Sequence, residues 1–413
     1  MPGLRNTRKT REMAAPPQVR FQNTLVSMSS PSDSKGPNTR LVAAGRHPDR
    51  QHGFVNTPVY RGSTVLHANA DDLLHHRIKF SYGRRNSPTI EALTDAITEL
   101  EGAAGSVVVP SGLNAVTTAL LSVLKSGDHL LMVDTVYQPS RHFCDTVLRR
   151  YGVEVNYYAP GIGAAISDLM RPNTRAVFTE SPGSLTFDMQ DIPAIANAAH
   201  AQGALVLTDN TWATPVYFKP LDFGADISLN AGTKYISGHS DILLGTIAAN
   251  AAAWPALSDM HGALGLTVGP DDIYLALRGL RTMALRLERH YASGVAVARW
   301  LESRPEVARV LHPALESDPG HALWKRDFSG ASGLFGVELK PVSQDRLIAF
   351  LDAISLFGMG YSWGGYESLV VVASTKDRVT PYAAEGPLLR LHIGLEDVED
   401  LIANLESGFA ALG

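Results

Sequence analysis

The sequence predicts an α/β fold: a large domain on a mostly parallel sheet covered on both faces, followed by a smaller α/β C-terminal domain of antiparallel type. Three observations carry this. Between about Asn86 and Thr282, near-continuous apolar runs of strand length alternate with helical stretches, the pattern of strands buried on both faces. A long helical stretch, Tyr274 to Ser303, interrupted only by Gly279 and Gly294, then leads away from that region. Beyond it, Ser332–Leu339 and Leu388–Ile393 alternate as strands, with helical patterns near Gln344–Leu356 and Asp397–Ala411. At 413 residues the chain is also too long for one small core.

The elements follow in order. Up to about Asn38 the chain is basic and rich in Ser and Pro, with Arg5, Arg8, Lys9, Arg11 and Arg20 against one nearby acid, Glu12. That composition is shared by organelle transit peptides and by disordered tails or upstream extensions ahead of a start at Met28, and we read residues 1–38 as a disordered tail. No apolar segment of signal-peptide type is present. Ser106–Val109 reads as a short strand, and Ser111-Gly112-Leu113-Asn114 opens a helix through Leu124. His129–Asp134, Val153–Tyr158, Thr174–Glu180, Leu205–Asp209, Ala225–Leu229 and Gly245–Ala249 complete the strand set. This places a large domain at 87–281 and a small domain at 282–413.

Composition excludes several classes. Hydrophobic residues make up 45% and charged residues 19%, which is ordinary for a globular chain. A net charge of −5 gives no basis for nucleic-acid or membrane partners. No apolar run approaches the roughly 18 residues that span a bilayer. The single cysteine, Cys144, excludes an intramolecular disulfide and a cysteine-based metal cluster. These features predict a cytoplasmic enzyme.

The chemistry-bearing pattern lies at the strand ends. Leu205-Val206-Leu207-Thr208-Asp209 is an apolar strand ending in a carboxylate, and Lys234 follows 25 residues later in the small-residue turn Ala231-Gly232-Thr233-Lys234. Pyridoxal phosphate (PLP) needs these two groups most: a Lys amine for its aldehyde, and a carboxylate that keeps its pyridine nitrogen protonated. Each is commonplace alone, as a surface charge or a helix cap; the ordered pair points to PLP. Ser111-Gly112-Leu113 sets backbone N–H groups at a helix N-terminus, where a phosphate is favoured, although the same tripeptide also serves as a plain cap. Thr233 offers a further hydroxyl. His75-His76, His239 and Asp241 lack a recurrent metal-ligand spacing, so no metal site is expected.

Several separated motifs, in order, carry a resemblance over about Leu41 to Gly413. They are Pro58-Val59-Tyr60, Tyr82-Gly83-Arg84-Arg85, Pro110–Leu113, Val133-Asp134-Thr135-Val136-Tyr137-Gln138-Pro139, Glu180-Ser181-Pro182-Gly183-Ser184, Thr208–Trp212, Gly232–Tyr235, Ser362-Trp363-Gly364-Gly365-Tyr366-Glu367-Ser368 and Arg390–Glu396. With these, the chain resembles the Cys/Met-metabolism family of fold-type I PLP-dependent enzymes, which have a transferase-like fold. The Glu180 and Ser362 motifs are similar to those of its carbon–sulfur β-lyase branch.

The resemblance implies roles. Lys234 and Tyr137 are the catalytic pair, with Tyr137 also stacked on the PLP ring. Lys234, Asp209, Tyr137, Ser111, Gly112, Leu113 and Thr233 hold PLP. Tyr82 and Arg84, in an N-terminal arm spanning 39–86, reach the phosphate of a neighbouring subunit. Arg390, with Ser362, Trp363 and Tyr137, receives the amino-acid substrate through its α-carboxylate. The family often has Ser where Ala231 stands, so one hydroxyl contact is missing here. The implied assembly is a homotetramer, a dimer of dimers with shared sites. The implied activity is β-elimination from L-cystathionine to homocysteine, pyruvate and ammonia, a step toward methionine. Three alternatives stay open at this point: a γ-family enzyme (methionine γ-lyase, cystathionine γ-lyase or γ-synthase), a β-lyase for other cysteine S-conjugates, and a PLP-binding regulator without turnover. Trp363 argues against γ-chemistry, where smaller residues are usual.

Overall fold

Seven strands form the large sheet, and their burial explains the apolar runs in the sequence. They are β1 (Gly105–Val109), β2 (His129–Val133), β3 (Glu154–Tyr158), β4 (Thr174–Glu180), β5 (Leu205–Asp209), β6 (Ile227–Ala231) and β7 (Gly245–Ala249), arranged β1-β7-β6-β5-β4-β2-β3. The structure, a computed structural model, describes residues 35–413. Most of the segment expected to be a disordered tail therefore lies outside the described residues, and a helix, Pro37–Ala43, begins two residues inside its expected end.

Every residue of β1, β2 and β7 is buried. Period-two geometry divides them between two cores. Val107 and Val109 join Ile247 and Ala249 on one face, while Val108 joins Ala248 on the other. Helices cover both: Gly112–Val123 and Ile192–Ala201 contribute to the first core, Pro88–Glu101 and Pro270–Leu280 to the second. β3, β2, β4, β5 and β6 run parallel, whereas β7 is antiparallel to both β6 and β1. The carboxyl ends of β1, β4, β5 and β6 consequently share one edge, where ligands bind in sheets of this class.

The second sheet has the order β10-β11-β12-β9-β8, from β8 (Val307–Leu311), β9 (Leu334–Leu339), β10 (Gly358–Met359), β11 (Leu369–Ala373) and β12 (Leu388–His392). It is antiparallel except for the short β10–β11 pair. Helices Gln344–Ala353 and Val398–Leu412 bury Phe350, Leu401, Leu405 and Phe409 against it. On β12, Leu389 and Leu391 enter that core, so Leu388, Arg390 and His392 face the other way; Leu388 joins a separate cluster with Phe187 and Trp212 from the large-sheet side. This alternation turns Arg390 toward the large sheet.

Two expectations are corrected. The long helical stretch breaks at Arg281–Thr282, between helices Pro270–Leu280 and Met283–Glu302, and both of its glycines are helical. They are there for close packing: a Cβ on Gly279 would lie 2.2 Å from the Ser237 carbonyl oxygen, and one on Gly294 would lie 3.1 Å from Gly333 Cα. The strand expected at 225–229 runs instead over Ile227–Ala231, because Asn230 and Ala231 pair with Thr246 and Gly245 of β7.

Candidate active site

At the shared strand edge lies a cavity of about 240 Å³, closed on its far side by the second sheet. Lys234 enters it from the turn after β6. Its Nζ donates to Ser362 Oγ at 2.8 Å and sits 5.2 Å from the Trp363 ring. Burial, then the Arg390 guanidinium, lowers the Lys234 amine from its ordinary 10.5 to about 8, with Asp209 opposing. A neutral amine, the form that bonds to an aldehyde or accepts a proton, is therefore accessible near neutral pH.

Asp209 ends β5. Its Oδ1 accepts from the Thr211 N–H at 2.9 Å and from Thr211 Oγ1 at 2.5 Å. Thr211 Oγ1 also accepts from the Ala231 N–H at 2.9 Å, which ties the end of β5 to the end of β6. Beside Asp209, in register on β4, stands Glu180, whose Oε2 accepts from the Tyr137 N–H at 2.9 Å. Burial raises both carboxyls, and Asp209 raises Glu180 further. Two neighbouring buried carboxyls do not both ionise readily. Two donors from Thr211 oppose the effect of burial on Asp209, whereas Glu180, beside Asp209, is pushed up further, with the Tyr137 N–H and Arg378 opposing.

Tyr137 precedes helix Gln138–Phe143 and lines the cavity. Burial, with the carboxyls of Glu180 and Asp209, raises its phenol above 10, so it rests as a neutral hydroxyl, a donor rather than a base. Arg390 spends Nη2 on the carbonyls of Tyr361 at 2.7 Å and Ser362 at 3.1 Å, while its buried Nε has no partner. A guanidinium anchored along one side with a donor free suits a carboxylate.

The helix Gly112–Val123 points its first turn into the same space. Ser111 caps it, accepting from the Asn114 N–H at 3.1 Å, and Gly112 and Leu113 line the cavity. A Cβ on Gly112 would lie 2.5 Å from Ala231 Cβ, so only glycine lets this turn settle against the strand end. Thr233 is present too, but its hydroxyl donates to the Leu244 carbonyl at 3.2 Å and accepts from the Leu244 N–H at 3.0 Å. Trp363 both lines the cavity and packs on Tyr235, ring centroids 5.6 Å apart.

The structure thus brings together ten of the sequence-derived candidates: Ser111, Gly112, Leu113, Tyr137, Asp209, Thr233, Lys234, Ser362, Trp363 and Arg390. It does not bring Tyr82 and Arg84 to them. Tyr82 is 44% exposed, and Arg84 Nη1 reaches the Gly262 carbonyl at 3.4 Å, beside different surface depressions. Sequence reasoning missed the roles of Glu180, Thr211 and Tyr361. Asp-x-Thr at a strand end signals a local side-chain turn, and Glu180 closes the strand next to that of Asp209; both were visible as patterns. Among the described residues no group of three or more His, Cys, Asp or Glu side chains could hold a metal ion.

The donor set fits PLP: a Lys whose amine gives up its proton more readily than usual, a strand-end carboxyl bonded to Thr211, an aromatic hydroxyl, and helix N-terminal N–H groups over a glycine seat. A family model described as "Cys/Met metabolism PLP-dependent enzyme" matches residues 38–410. Cystathionine beta-lyase MetC of Escherichia coli K12 is 44% identical over 389 residues, covering 91% of this chain and 98% of its own. The cystathionine beta-lyase of Haemophilus influenzae is 42% identical over 385 residues, covering 90% of this chain and 97% of its own. Among solved structures, the cystathionine gamma synthase of Xanthomonas oryzae pv. oryzae, in complex with aminoacrylate and cysteine, superposes with a TM-score of 0.86 at 32% identity, covering 92% of this chain and 98% of that one.

Proposed function

Because the chain belongs to the Cys/Met metabolism PLP-dependent enzyme family, we propose that it is a carbon–sulfur β-lyase cleaving L-cystathionine to homocysteine, pyruvate and ammonia. The observation that carries this is the placing of Arg390, with its Nε unpartnered, in the same cavity as a Lys234 amine whose proton affinity is lowered to about 8.

Arg390 receives the α-carboxylate and orients Cα. Asp209, whose burial Thr211 opposes with two hydrogen bonds, would face the ring nitrogen of the cofactor and favour a proton there. When bound, PLP supplies the electron sink that accepts the pair left at Cα. Lys234, whose amine is lowered to about 8 and so loses its proton far more readily than an ordinary lysine, takes the Cα proton. The Cβ–S bond then breaks with its electron pair on sulfur. Lys234, now an ammonium, carries the proton the departing thiolate needs, while the neutral Tyr137 hydroxyl offers a hydrogen bond. Water completes the balance, releasing pyruvate and ammonia from the three-carbon fragment.

Trp363 supports β- over γ-chemistry, because its ring, 5.2 Å from Lys234 Nζ, narrows the cavity beyond the reacting carbons. We further propose a cytoplasmic homotetramer in which Tyr82 and Arg84 of the 39–86 arm complete a neighbour's site, and domains at 87–281 and 282–413. The distance of that pair from its own chain's cavity supports sharing, as do the exposed Phe54, Val55, Leu66 and Leu74 of the arm. The test is product analysis with L-cystathionine. Pyruvate with homocysteine supports the reading; 2-oxobutyrate with cysteine makes it a γ-lyase; loss of neither product in Lys234→Ala overturns the site.

A further inference from the structure

One wall of the cavity is built by the turn that follows β4. Pro182, Gly183, Ser184, Leu185 and Phe187 all line it. Two of these are non-glycine residues in the left-handed region, Leu185 at φ 67° and Phe187 at φ 56°. L side chains adopt that conformation rarely, and it persists where surrounding contacts over-determine it. The turn's internal bonds are few: Phe187 N–H to Gly183 O at 3.0 Å, Gly183 N–H to Asp188 O at 2.9 Å, Thr186 N–H to Ser184 O at 2.9 Å and Thr186 Oγ1 to Asp188 Oδ2 at 2.5 Å. Something outside must hold the rest.

That support comes from far along the chain. Between β11 and β12 a loop crosses the turn, and the Arg378 fork grips it: Nη1 donates to Thr186 Oγ1 at 2.8 Å and Nη2 to the Ser184 carbonyl at 2.5 Å. The loop is itself clamped from both sheets. Asp134, at the end of β2, accepts from the Val379 N–H at 3.0 Å and the Thr380 N–H at 2.8 Å, and is itself held by Arg141. Glu338 of β9 accepts from Tyr382 Oη at 2.6 Å and the Glu385 N–H at 2.5 Å. The same loop runs into β12, which carries Arg390. One segment thus joins the Arg390 guanidinium to the Pro182–Phe187 wall of the same cavity.

We propose that Arg378 is a specificity-determining positioning residue, which fixes the Leu185–Phe187 wall and thereby selects long thioether amino acids over short ones. It does not line the cavity. The proposal rests on the lyase reading for its substrate class, while the grip on the turn stands independently of it.

The test compares Arg378→Met, Arg378→Lys and the near-isosteric Thr186→Val, which removes the Arg378 acceptor together with the Thr186 Oγ1 bond to Asp188 Oδ2. Steady-state constants are measured for L-cystathionine and S-methyl-L-cysteine, with visible absorbance for bound PLP and hydrogen exchange of the peptide spanning 181–190. Arg378→Met should raise KM for L-cystathionine about tenfold with kcat little changed, and shrink its preference over S-methyl-L-cysteine by a similar factor. Thr186→Val should shift both the same way by less. Lys, a single point charge, should restore only part of the preference. Exchange at the Ser184 and Phe187 amides should quicken while PLP absorbance holds. An unchanged substrate preference in Arg378→Met and Thr186→Val would overturn the proposal, even if stability fell. Should the wild-type protein not cleave L-cystathionine at all, the lyase reading fails, and the exchange measurement, which needs no turnover, still decides whether Arg378 holds the turn.

Discussion

The lowered proton affinity of Lys234 can be measured directly in protein stripped of PLP. With the amine at about 8 rather than its ordinary 10.5, about one molecule in ten carries a free amine at pH 7, against about three in ten thousand for an ordinary lysine. Lys234 should therefore react with a trace acylating reagent about 300-fold faster than the same residue in unfolded protein, if intrinsic nucleophilicity is unchanged. The assay labels the protein across pH 6 to 11 and quantifies the Lys234 peptide by mass spectrometry. The causes have separate signatures. Burial dominates, Arg390 lowers the value and Asp209 raises it. Arg390→Ala should move the midpoint up, and Asp209→Asn should move it down. A midpoint near 10 in the wild type, or both variants shifting the same way, would refute the electrostatic account.

Gly112→Ala places a methyl 2.5 Å from Ala231 Cβ, so the helix N-terminus must lift, and affinity for PLP should fall at least about tenfold in an absorbance titration; unchanged affinity would place the phosphate elsewhere. Trp363→Leu should reduce pyruvate release from L-cystathionine by about tenfold while PLP stays bound, and an unaltered rate would make Trp363 simple packing against Tyr235. Arg84→Ala and Lys234→Ala, each inactive alone, should regain about a quarter of full activity when co-refolded as a random dimer mixture, because half the dimers are mixed and each has one intact site. If Arg84→Ala proves strongly impaired and mixed dimers recover nothing above either parent, Arg84 serves its own chain.

The large sheet was legible because most of its strands are buried on both faces, which leaves nearly unbroken apolar runs such as His129–Val133 and Gly245–Ala249; the edge strand β3 alternates buried and exposed residues. The second sheet was legible only where it is buried, at β9 and β12. Half-exposed edge strands, β8 with two exposed residues and β10 with both exposed, leave no clean alternation. Gly279 and Gly294 read as helix breaks because local propensity does not report that a neighbouring backbone needs the space a side chain would fill. In the site, residue type and motif were enough to nominate Lys234, Asp209, Tyr137 and Arg390. The partners that tune them were not nominated. Glu180 matters through its strand neighbour, Thr211 through a bond to Ala231, and Arg378 through a turn 192 residues away. Such contacts exist only once the chain has folded.

The placement of β1 has a consequence for how the protein is made. Among the described residues this strand pairs only with β7, Gly105 opposite Ala249, so its partner emerges about 140 residues after it. Everything in between, five strands and their crossovers, must be synthesised before the helix that starts at Gly112 can rest on Ala231. Closing so long a loop is slow and entropically opposed. The cofactor seat therefore cannot form until β7 has been synthesised, and a nascent or truncated chain ending before Ala249 lacks it altogether. Capture of PLP certifies a finished sheet: the ligand stabilises the completed fold and none of the forms that precede it.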